Sequence, residues 1–420
     1  MKKINLSAGT FLAIISFSIA GSVIYELPYI RNVYYDKFVE AFGMTNAQVG
    51  FLMSAYAVGC LLLYIPGGIL ADKFSTKKML VLSLMGTGAL GIVMALSMNY
   101  VTALIAFFLF AVTTSFVFWA ALNKGLRIIG GKEDSGSTYG WYYALGSVIS
   151  LVCGLGFWAL YTSTENSHDA MFRTIMAMSI AVIVSGVLVQ ITFKEENTSL
   201  VQTAEEDKFR LSDVGKAIKN PYLWWASIIM FLIYTIYSNV SYFTPYLSSQ
   251  VGMDVSDSSF LGIIRGYVFY FLSPVGGYIA DKLLKSTLRL YGYGFIGLAV
   301  LFFAATRVPA GEDSVVIAIV ISLLASAFAM MLYGVMWSIL NEIDIPISYA
   351  ATAIGISSMV IYLPDLFVPA MIGSWLDNYG EEAGYFRMFI FFGICCMLAV
   401  VLSLTLAERV KMMKAAKKIK

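Results

Sequence analysis

Twelve long apolar runs, separated by short charged or turn-forming segments, dominate the chain. Each is close to the roughly 20 residues that a helix needs to cross a bilayer. Each is also continuously apolar, whereas membrane-barrel strands alternate between apolar and polar positions. The pattern predicts an all-α membrane protein with twelve transmembrane helices, called spans 1 to 12. Their expected limits are residues 6–31, 46–66, 79–98, 101–124, 137–161, 171–193, 221–246, 257–275, 288–307, 314–338, 348–372 and 385–407.

The composition fits a protein dissolved in lipid. Hydrophobic residues make up 59% of the 420 residues and charged residues 13%, against about 45–50% and about 25% in a soluble domain. This balance disfavours a water-soluble enzyme. Four cysteines in apolar runs and a single histidine, His168, are too few for the usual metal sites, so we expect no metal and no cofactor. The net charge of +2 argues against a nucleic-acid partner.

Lysine and arginine are distributed unevenly among the predicted loops. If the amino terminus is cytoplasmic, 22 of the 28 basic residues fall on the cytoplasmic side, as the positive-inside rule requires. We therefore expect both termini in the cytoplasm and a multi-pass protein of a bacterial inner membrane. A competing interpretation treats the first apolar stretch as a cleaved signal peptide, because Lys2 and Lys3 precede it and a Ser-Ile-Ala sequence stands at 18–20. Cleavage would leave eleven spans.

A charged segment at residues 194–220 divides the chain into two halves of six spans. Three short motifs recur in both halves in the same order, at offsets of 217, 209 and 218 residues. The matched pairs are YELPY at 25–29 with YFTPY at 242–246, GGILADK at 67–73 with GGYIADK at 276–282, and WAALNK at 119–124 with WSILNE at 337–342. Three collinear matches indicate duplication of a six-helix unit.

The loop at 67–73, repeated between spans 8 and 9, resembles the signature that the major facilitator superfamily carries between its second and third helices. Ser75 and Thr76 stand where that signature has a glycine and an arginine. The ends of spans 1 and 4 are also similar to the YihN-like branch of the superfamily. This resemblance extends over essentially the whole chain and implies a fold of two pseudo-symmetric six-helix bundles.

The predicted organisation has four parts. A six-helix bundle at 1–193 is followed by a cytoplasmic linker at 194–220, a second bundle at 221–407 and a basic cytoplasmic tail at 408–420. The tail carries six basic residues and one acidic residue, which predicts attraction to anionic lipid.

In the superfamily, the cytoplasmic ends of spans 4 and 10 approach each other when the inner gate closes. Lys124 and Glu342 occupy equivalent positions at these ends and have opposite charges. The resemblance thus predicts a gate salt bridge that is present in only one state. The alternative is two solvated helix ends, whose pairing is worth below about 1 kcal/mol. Four charged residues of the repeated loops are also assigned to the conformational change: Asp72, Lys73, Asp281 and Lys282.

Three charged residues lie well inside the spans: Glu26, Arg265 and Asp365. Burying an ion near the bilayer centre costs at least a few kcal/mol, so each should face a water-filled cavity or a partner. Arg265 lies roughly 12 Å along a span of about 27 Å. Its planar guanidinium matches a carboxylate or phosphate, which predicts that it binds an anionic group of the substrate. The alternative is a structural ion pair with an acidic neighbour such as Asp365.

Glu26 and Asp365 are candidates for proton coupling, which needs a partly buried carboxylate. Glu26 lies near the outer end of span 1, where the alternative is an interfacial pair with Arg31. Asp365 follows Pro364 in span 11, and a kinked backbone there could present its carboxylate to a proton or cation. The alternative for Asp365 is a hinge whose aspartate caps the next helical segment.

Span 7 is unusually polar for a membrane helix. Most tyrosines in membrane proteins lie at head groups or in packed cores, and this alternative stays open here. We nevertheless expect four residues to line the substrate cavity: Tyr234, Tyr237, Asn239 and, beside Arg265, Tyr267.

These features predict a secondary active transporter that moves a small polar, anionic organic solute by alternating access, with a proton as the candidate coupling ion. A non-transporting receptor on a transporter fold and an uncoupled facilitator or exporter remain alternatives. A membrane-embedded enzyme lacks support, because the sequence contains no HExxH, Walker A or GxSxG motif. The expected partners are the solute, a proton and membrane lipids.

Overall fold

A computed structural model describes residues 8–130, 135–195, 215, 217–346 and 350–419, without the side chains of residues 8, 64–73, 135–137, 350–351 and 416–419. Within these ranges the chain is helical and contains no β-strand. The chain divides into two compact units, Met1–Gln202 and Thr203–Lys420. The prediction of an all-α membrane fold is confirmed.

Ten helical stretches among the described residues are long and apolar enough to cross a membrane. One of them, Thr352–Ala415, includes both span 11 and span 12, and a shorter apolar helix, Gly9–Val23, corresponds to span 1. Each predicted span is therefore matched by an apolar helix.

The first unit contains spans 1 to 6 and one further helix. Span 3 packs along span 6, and span 1 packs against spans 5 and 6. A π-helical segment, Val112–Phe118, joins the two parts of span 4. The helices are Ala8–Val23 (span 1), Arg31–Phe42, Asn46–Lys73 (span 2), Thr76–Ser97 (span 3), Tyr100–Ala111 and Trp119–Gly130 (span 4), Ser135–Tyr161 (span 5) and Ser167–Thr192 (span 6).

Glycine allows the close approach of spans 3 and 6. A Cβ atom at Gly88 would lie 2.4 Å from Cγ1 of Ile183 and 2.8 Å from the carbonyl oxygen of Ser179. Because the second contact is with backbone, a side chain at position 88 would force the two helices apart.

The second unit contains spans 7 to 12, in which span 9 packs along the helix that includes span 12. Gly380, with a φ of 75°, interrupts the long final helix between spans 11 and 12. The helices are Pro221–Asn239 and Phe243–Pro245 (span 7), Val255–Ile263 and Ser273–Tyr278 (span 8), Thr287–Ala305 (span 9), Val315–Gly334 and Ser338–Glu342 (span 10), Ala350–Ile361 (span 11) and Pro364–Ile419 (spans 11 and 12).

Four spans are interrupted close to a proline, which differs from the continuous helices that the apolar runs predict. Proline lacks a backbone N–H and crowds the carbonyl four residues before it. Span 1 ends at Val23 and gives way to a turn at 24–30, instead of continuing to residue 31. The interruptions and their prolines are the turn at 24–30 with Pro28, the 3₁₀ segment Val240–Tyr242 with Pro245, the 3₁₀ segment Phe269–Leu272 with Pro274, and the turn at 362–363 with Pro364.

Candidate functional site

The three intramembrane charges all lie at departures from regular α-helix. Glu26 is in the turn at 24–30, Arg265 is in the π-helical segment Ile264–Val268, and Asp365 is in the first turn of the helix that begins after the break at 362–363. Their exposed fractions are 8%, 4% and 6%. π-helical turns and broken spans are frequent at functional sites. The irregular backbone and the intramembrane charge therefore indicate the same three residues.

Arg265 is a buried cation whose hydrogen-bonding capacity is only partly used. Its Nη2 donates to Oγ1 of Thr244 on span 7 at 2.6 Å. Its Nε and Nη1 atoms have no partner among the described residues, and no carboxylate there forms an ion pair with it. The pair with Asp365 is thus not formed within these residues. Each edge of the guanidinium keeps one unpartnered nitrogen, which suits an incoming carboxylate or phosphate.

Asp365 joins span 11 to span 7 through a hydrogen bond. The hydroxyl of Tyr234 donates to Oδ2 of Asp365 at 2.6 Å, and both side chains are buried. The carboxylate also lies in the first turn of a helix, where the backbone N–H groups and the helix dipole favour negative charge. A titratable group is therefore held at the junction of two spans.

Five tyrosines surround this junction, and we refer to Tyr234, Tyr237, Tyr270, Tyr333 and Tyr362 as the tyrosine cluster. The rings of Tyr237 and Tyr333 stack 3.6 Å apart with an interplanar angle of 3°. Tyr234 meets Tyr362 edge-on at 4.8 Å. The hydroxyls of Tyr237 and Tyr270 lie 2.9 Å apart. Spans 7, 8, 10 and 11 thus each contribute at least one tyrosine to a single network of ring and hydroxyl contacts.

Two of the five members of the tyrosine cluster were expected in the substrate site, and the other three, Tyr270, Tyr333 and Tyr362, were not. Tyr234 and Tyr237 follow from the polarity of span 7. Tyr333 and Tyr362 contribute through packing, and their only sequence signal is a tyrosine within or next to an apolar span. That signal is shared by many tyrosines with no role in binding.

Asn239 and Tyr267 occupy different surroundings from the tyrosine pair. Nδ2 of Asn239 donates to the carbonyl of Thr235 at 3.0 Å and to Oγ of Ser238 at 2.9 Å, and the side chain is fully buried. Nδ2 of Asn239 therefore bonds to its own helix, while the buried Oδ1 has no hydrogen-bond partner among the described residues. Tyr267 is half-buried two residues after Arg265, so the two side chains leave the helix on different faces.

Glu26 is buried in the first unit. Arg31, its expected interfacial neighbour, is also buried, with 2% of its surface exposed. Neither residue therefore lies at a solvated surface, and the role of Glu26 in proton coupling stays a prediction.

Glu342 binds the beginning of span 9. Its carboxylate accepts hydrogen bonds from Oγ of Ser286 and, at 2.9 Å, from the amide of Leu288. Lys124 lies half-buried near the end of span 4, in the other unit. Their pairing as a gate stays a prediction, to which the structure adds a second role for Glu342 as a helix-capping group.

The charged residues of the repeated loops are described only in the second unit. Asp281 and Lys282 are both exposed. The side chains of Asp72 and Lys73 lie outside the described residues.

Glu195 forms a capping contact in the first unit that the sequence did not reveal. It binds Ser75 Oγ, the amide of Thr76 at 2.8 Å and the amide of Lys77 at 3.2 Å. Partial burial alone would raise the pKa of Glu195, but the hydrogen bonds from Ser75, Thr76 and Lys77 outweigh it and lower that pKa below its usual value. The beginning of span 3 is therefore held by a carboxylate, as is that of span 9.

Comparison with known proteins identifies the family. The family model for the Major Facilitator Superfamily matches residues 6–369. The inner membrane protein YqcE of Escherichia coli is 29% identical over 406 residues, which cover 95% of this chain and 95% of that protein. The inner membrane protein YihN of Escherichia coli is 24% identical and covers 94% and 95% of the two chains.

More distant similarities extend to a named transporter and to a solved structure. A hexuronate transporter of Bacillus subtilis is 20% identical over 85% of this chain and 86% of its own. The crystal structure of a bacterial homologue of the human lysosomal transporter Spinster, inward-facing and unoccupied, superimposes with a TM-score of 0.75 at 14% identity, over 96% of this chain and 98% of that one. The chain therefore belongs to the major facilitator superfamily, a family of membrane transporters rather than enzymes.

Proposed function

We propose that the chain is a secondary transporter for a small anionic organic solute, and that Arg265 binds the anionic group. The observation that carries this proposal is the buried guanidinium whose Nε and Nη1 atoms have no described partner. Unpaired donors on a buried cation are costly. The carboxylate, sulfonate or phosphate of an anionic ligand would accept hydrogen bonds from both atoms.

The relatives support the class of solute and the mode of transport. The protein named a hexuronate transporter favours an acidic solute. The inward-facing Spinster homologue favours alternating access by the same fold. The two inner membrane proteins favour a bacterial inner membrane, and the positive-inside distribution favours cytoplasmic termini.

Proton coupling is the second part of the proposal, and Asp365 is the group that would carry the proton. Its carboxylate is buried and bound by the Tyr234 hydroxyl. Protonation would neutralise the buried carboxylate of Asp365, and entry of an anion would neutralise the buried guanidinium of Arg265. An anion and a proton that bind together would thus leave the summed charge of Arg265, Asp365 and their two ligands unchanged. An uncoupled facilitator would use Arg265 without this step.

A thermal-shift screen of the purified protein tests the anion site. Glucuronate, sulfoacetate and glucose 6-phosphate represent three anionic classes, and glucose is the matched neutral sugar. A ligand that binds the folded state raises the unfolding temperature. We expect stabilisation by at least one anion, none by glucose, and loss of the effect in Arg265→Gln.

The control is Arg173→Gln, which removes an exposed arginine of the first unit. This variant should respond to the anion as the unmodified protein does. Undiminished stabilisation by the anion in a folded Arg265→Gln protein would rule out Arg265 as the binding group.

A further inference from the structure

A cavity of about 360 Å³ lies in the second unit and shares no lining residue with the tyrosine cluster or Arg265. Small-molecule sites have volumes of about 300–1,000 Å³, so the cavity can hold a compact polar group. The ends of spans 7 and 9 and the hairpin between spans 11 and 12 form it. Its aromatic and charged lining residues include Tyr246, Tyr379, Glu382, Tyr385, Phe386 and Phe389.

The cavity lies at the level where spans end. Gln250, which lines it, is the last residue of the stretch Pro221–Gln250, and Ala305 is the last residue of span 9. The third side is the hairpin that turns at Gly380. Helix ends of this kind lie where the hydrocarbon core gives way to lipid head groups.

Aromatic rings form the floor and the rim of the cavity. Tyr246 contacts Tyr385 at 5.2 Å and Phe389 at 5.0 Å between ring centroids, and all three are buried. Tyr379 and Phe386 at the rim are 52% and 49% exposed. A packed floor and an exposed aromatic rim are suited to the membrane interface, where tyrosine is enriched.

Both signs of charge are present at the rim. Glu382 is the charged residue that lines the cavity; it is exposed and has no hydrogen bond or ion pair among the described residues. The guanidinium of Arg387 lies 3.4 Å from the ring centroid of Tyr379, which holds a positive charge at the edge. Arg307 does not line the cavity, but it is exposed and lies between the lining residues Thr306 and Val308 in the sequence.

We propose that this cavity binds the head group of a zwitterionic phospholipid, with its ammonium on Glu382 and its phosphate facing Arg387 and Arg307. A simple anion would be repelled by the carboxylate of Glu382. A simple cation would pair with Glu382 but would not bind the two arginines. A primary ammonium also donates charge-assisted hydrogen bonds that a quaternary ammonium lacks. The site therefore prefers phosphatidylethanolamine to phosphatidylcholine, and both to phosphatidylglycerol.

Binding of the three lipids to the full-length protein in detergent, measured by native mass spectrometry, tests the proposal. We expect Glu382→Gln to weaken phosphatidylethanolamine binding about tenfold, because a charge-assisted contact is lost. Arg387→Gln should weaken binding of both zwitterionic lipids. The matched control is Glu381→Gln, which removes the neighbouring exposed carboxylate that does not line the cavity and should leave binding unchanged.

Three results would overturn the proposal. The first is equal binding of phosphatidylethanolamine and phosphatidylglycerol. The second is unchanged lipid binding by Glu382→Gln, whose folding is checked by its unfolding temperature without lipid. The third is binding of soluble phosphoethanolamine as tightly as the lipid, which would assign the cavity to a free solute. None of these results depends on Arg265, so the solute proposal is tested separately.

Discussion

Replacing Glu195 by glutamine should destabilise the first unit, because this carboxylate holds the beginning of span 3. It accepts hydrogen bonds from Ser75 and from the amides of Thr76 and Lys77. Glutamine keeps one acceptor oxygen but loses the negative charge and the second acceptor.

The size of the effect follows from these contacts. A hydrogen bond to a charged group contributes about 1.5–3 kcal/mol and a neutral one about 0.5–1.5 kcal/mol. The charge at the helix amino terminus adds about 0.3–1 kcal/mol at a partly exposed site. Because Glu195 is only partly buried, we expect a loss of about 1–2 kcal/mol. In a unit of this size, each kcal/mol lowers the unfolding midpoint by roughly 2–4 °C.

The assay is thermal unfolding of the purified variants at neutral pH, with Glu165→Gln as the control. Glu165 is an exposed carboxylate of the same unit with no described partner, so its loss should not change the midpoint. Equal midpoints for the two variants would refute the stabilising role of Glu195.

The pH dependence gives a second test of the same contact. The folded-state pKa of Glu195 is lower than its usual value, so its contribution is present above the ordinary glutamate pKa of about 4.3. It is lost as the pH falls through the lower folded value. The difference between the unmodified protein and Glu195→Gln should therefore shrink on acidification below that range. A difference that stays constant would contradict the assignment.

Substitutions at Tyr234, at the Lys124–Glu342 pair and at Gly88 have separate expected outcomes. Tyr234→Phe removes the hydroxyl that binds Asp365 and should shift the pH profile of transport. A profile that does not move would contradict a role for this bond in proton coupling. Lys124 and Glu342 can be charge-reversed singly and together, and the conformational state of each variant measured by an accessibility assay. We expect a coupling energy of about 0.5 kcal/mol or more, as for groups in contact. No coupling would leave Glu342 as a helix-capping group alone. Gly88→Ala should overpack the contact between spans 3 and 6 at a cost of about 1–3 kcal/mol, and so lower the unfolding midpoint by several degrees. A midpoint equal to that of the unmodified protein would contradict the close approach.

The fold was largely predictable because long apolar runs and a repeated loop are strong signals in a membrane protein. The helix Arg31–Phe42 was not predicted, since its mixture of charged and aromatic residues contains no run of membrane length. The breaks in spans 1, 7, 8 and 11 each lie close to a proline, so their approximate positions could be predicted from the sequence. Their extent depends on how the neighbouring spans pack.

The sequence singled out Arg265, Asp365, Tyr234 and Tyr237, but it did not indicate their partners, and it also included Asn239 and Tyr267, which lie in other surroundings. Burial of Arg265 and Asp365 followed from charge within apolar runs, but the partners of each depend on how helices far apart in sequence pack together. Asp365 accepts a hydrogen bond from Tyr234, and Arg265 donates one to Thr244. The contact of Glu195 with span 3 also joins residues far apart in sequence. The sequence does not indicate this contact, because a glutamate in a charged linker is usually solvated.

Uptake into proteoliposomes decides whether Arg265 binds the anionic group of a transported solute. The radiolabelled anion that stabilises the protein would be offered to the unmodified protein, Arg265→Lys, Arg265→Gln and Arg173→Gln. We expect normal uptake by Arg173→Gln and uptake reduced at least about tenfold by Arg265→Gln. Arg265→Lys should also lose much of its uptake, because lysine lacks the planar fork. Uptake by Arg265→Gln at the unmodified rate and affinity would contradict this role of Arg265.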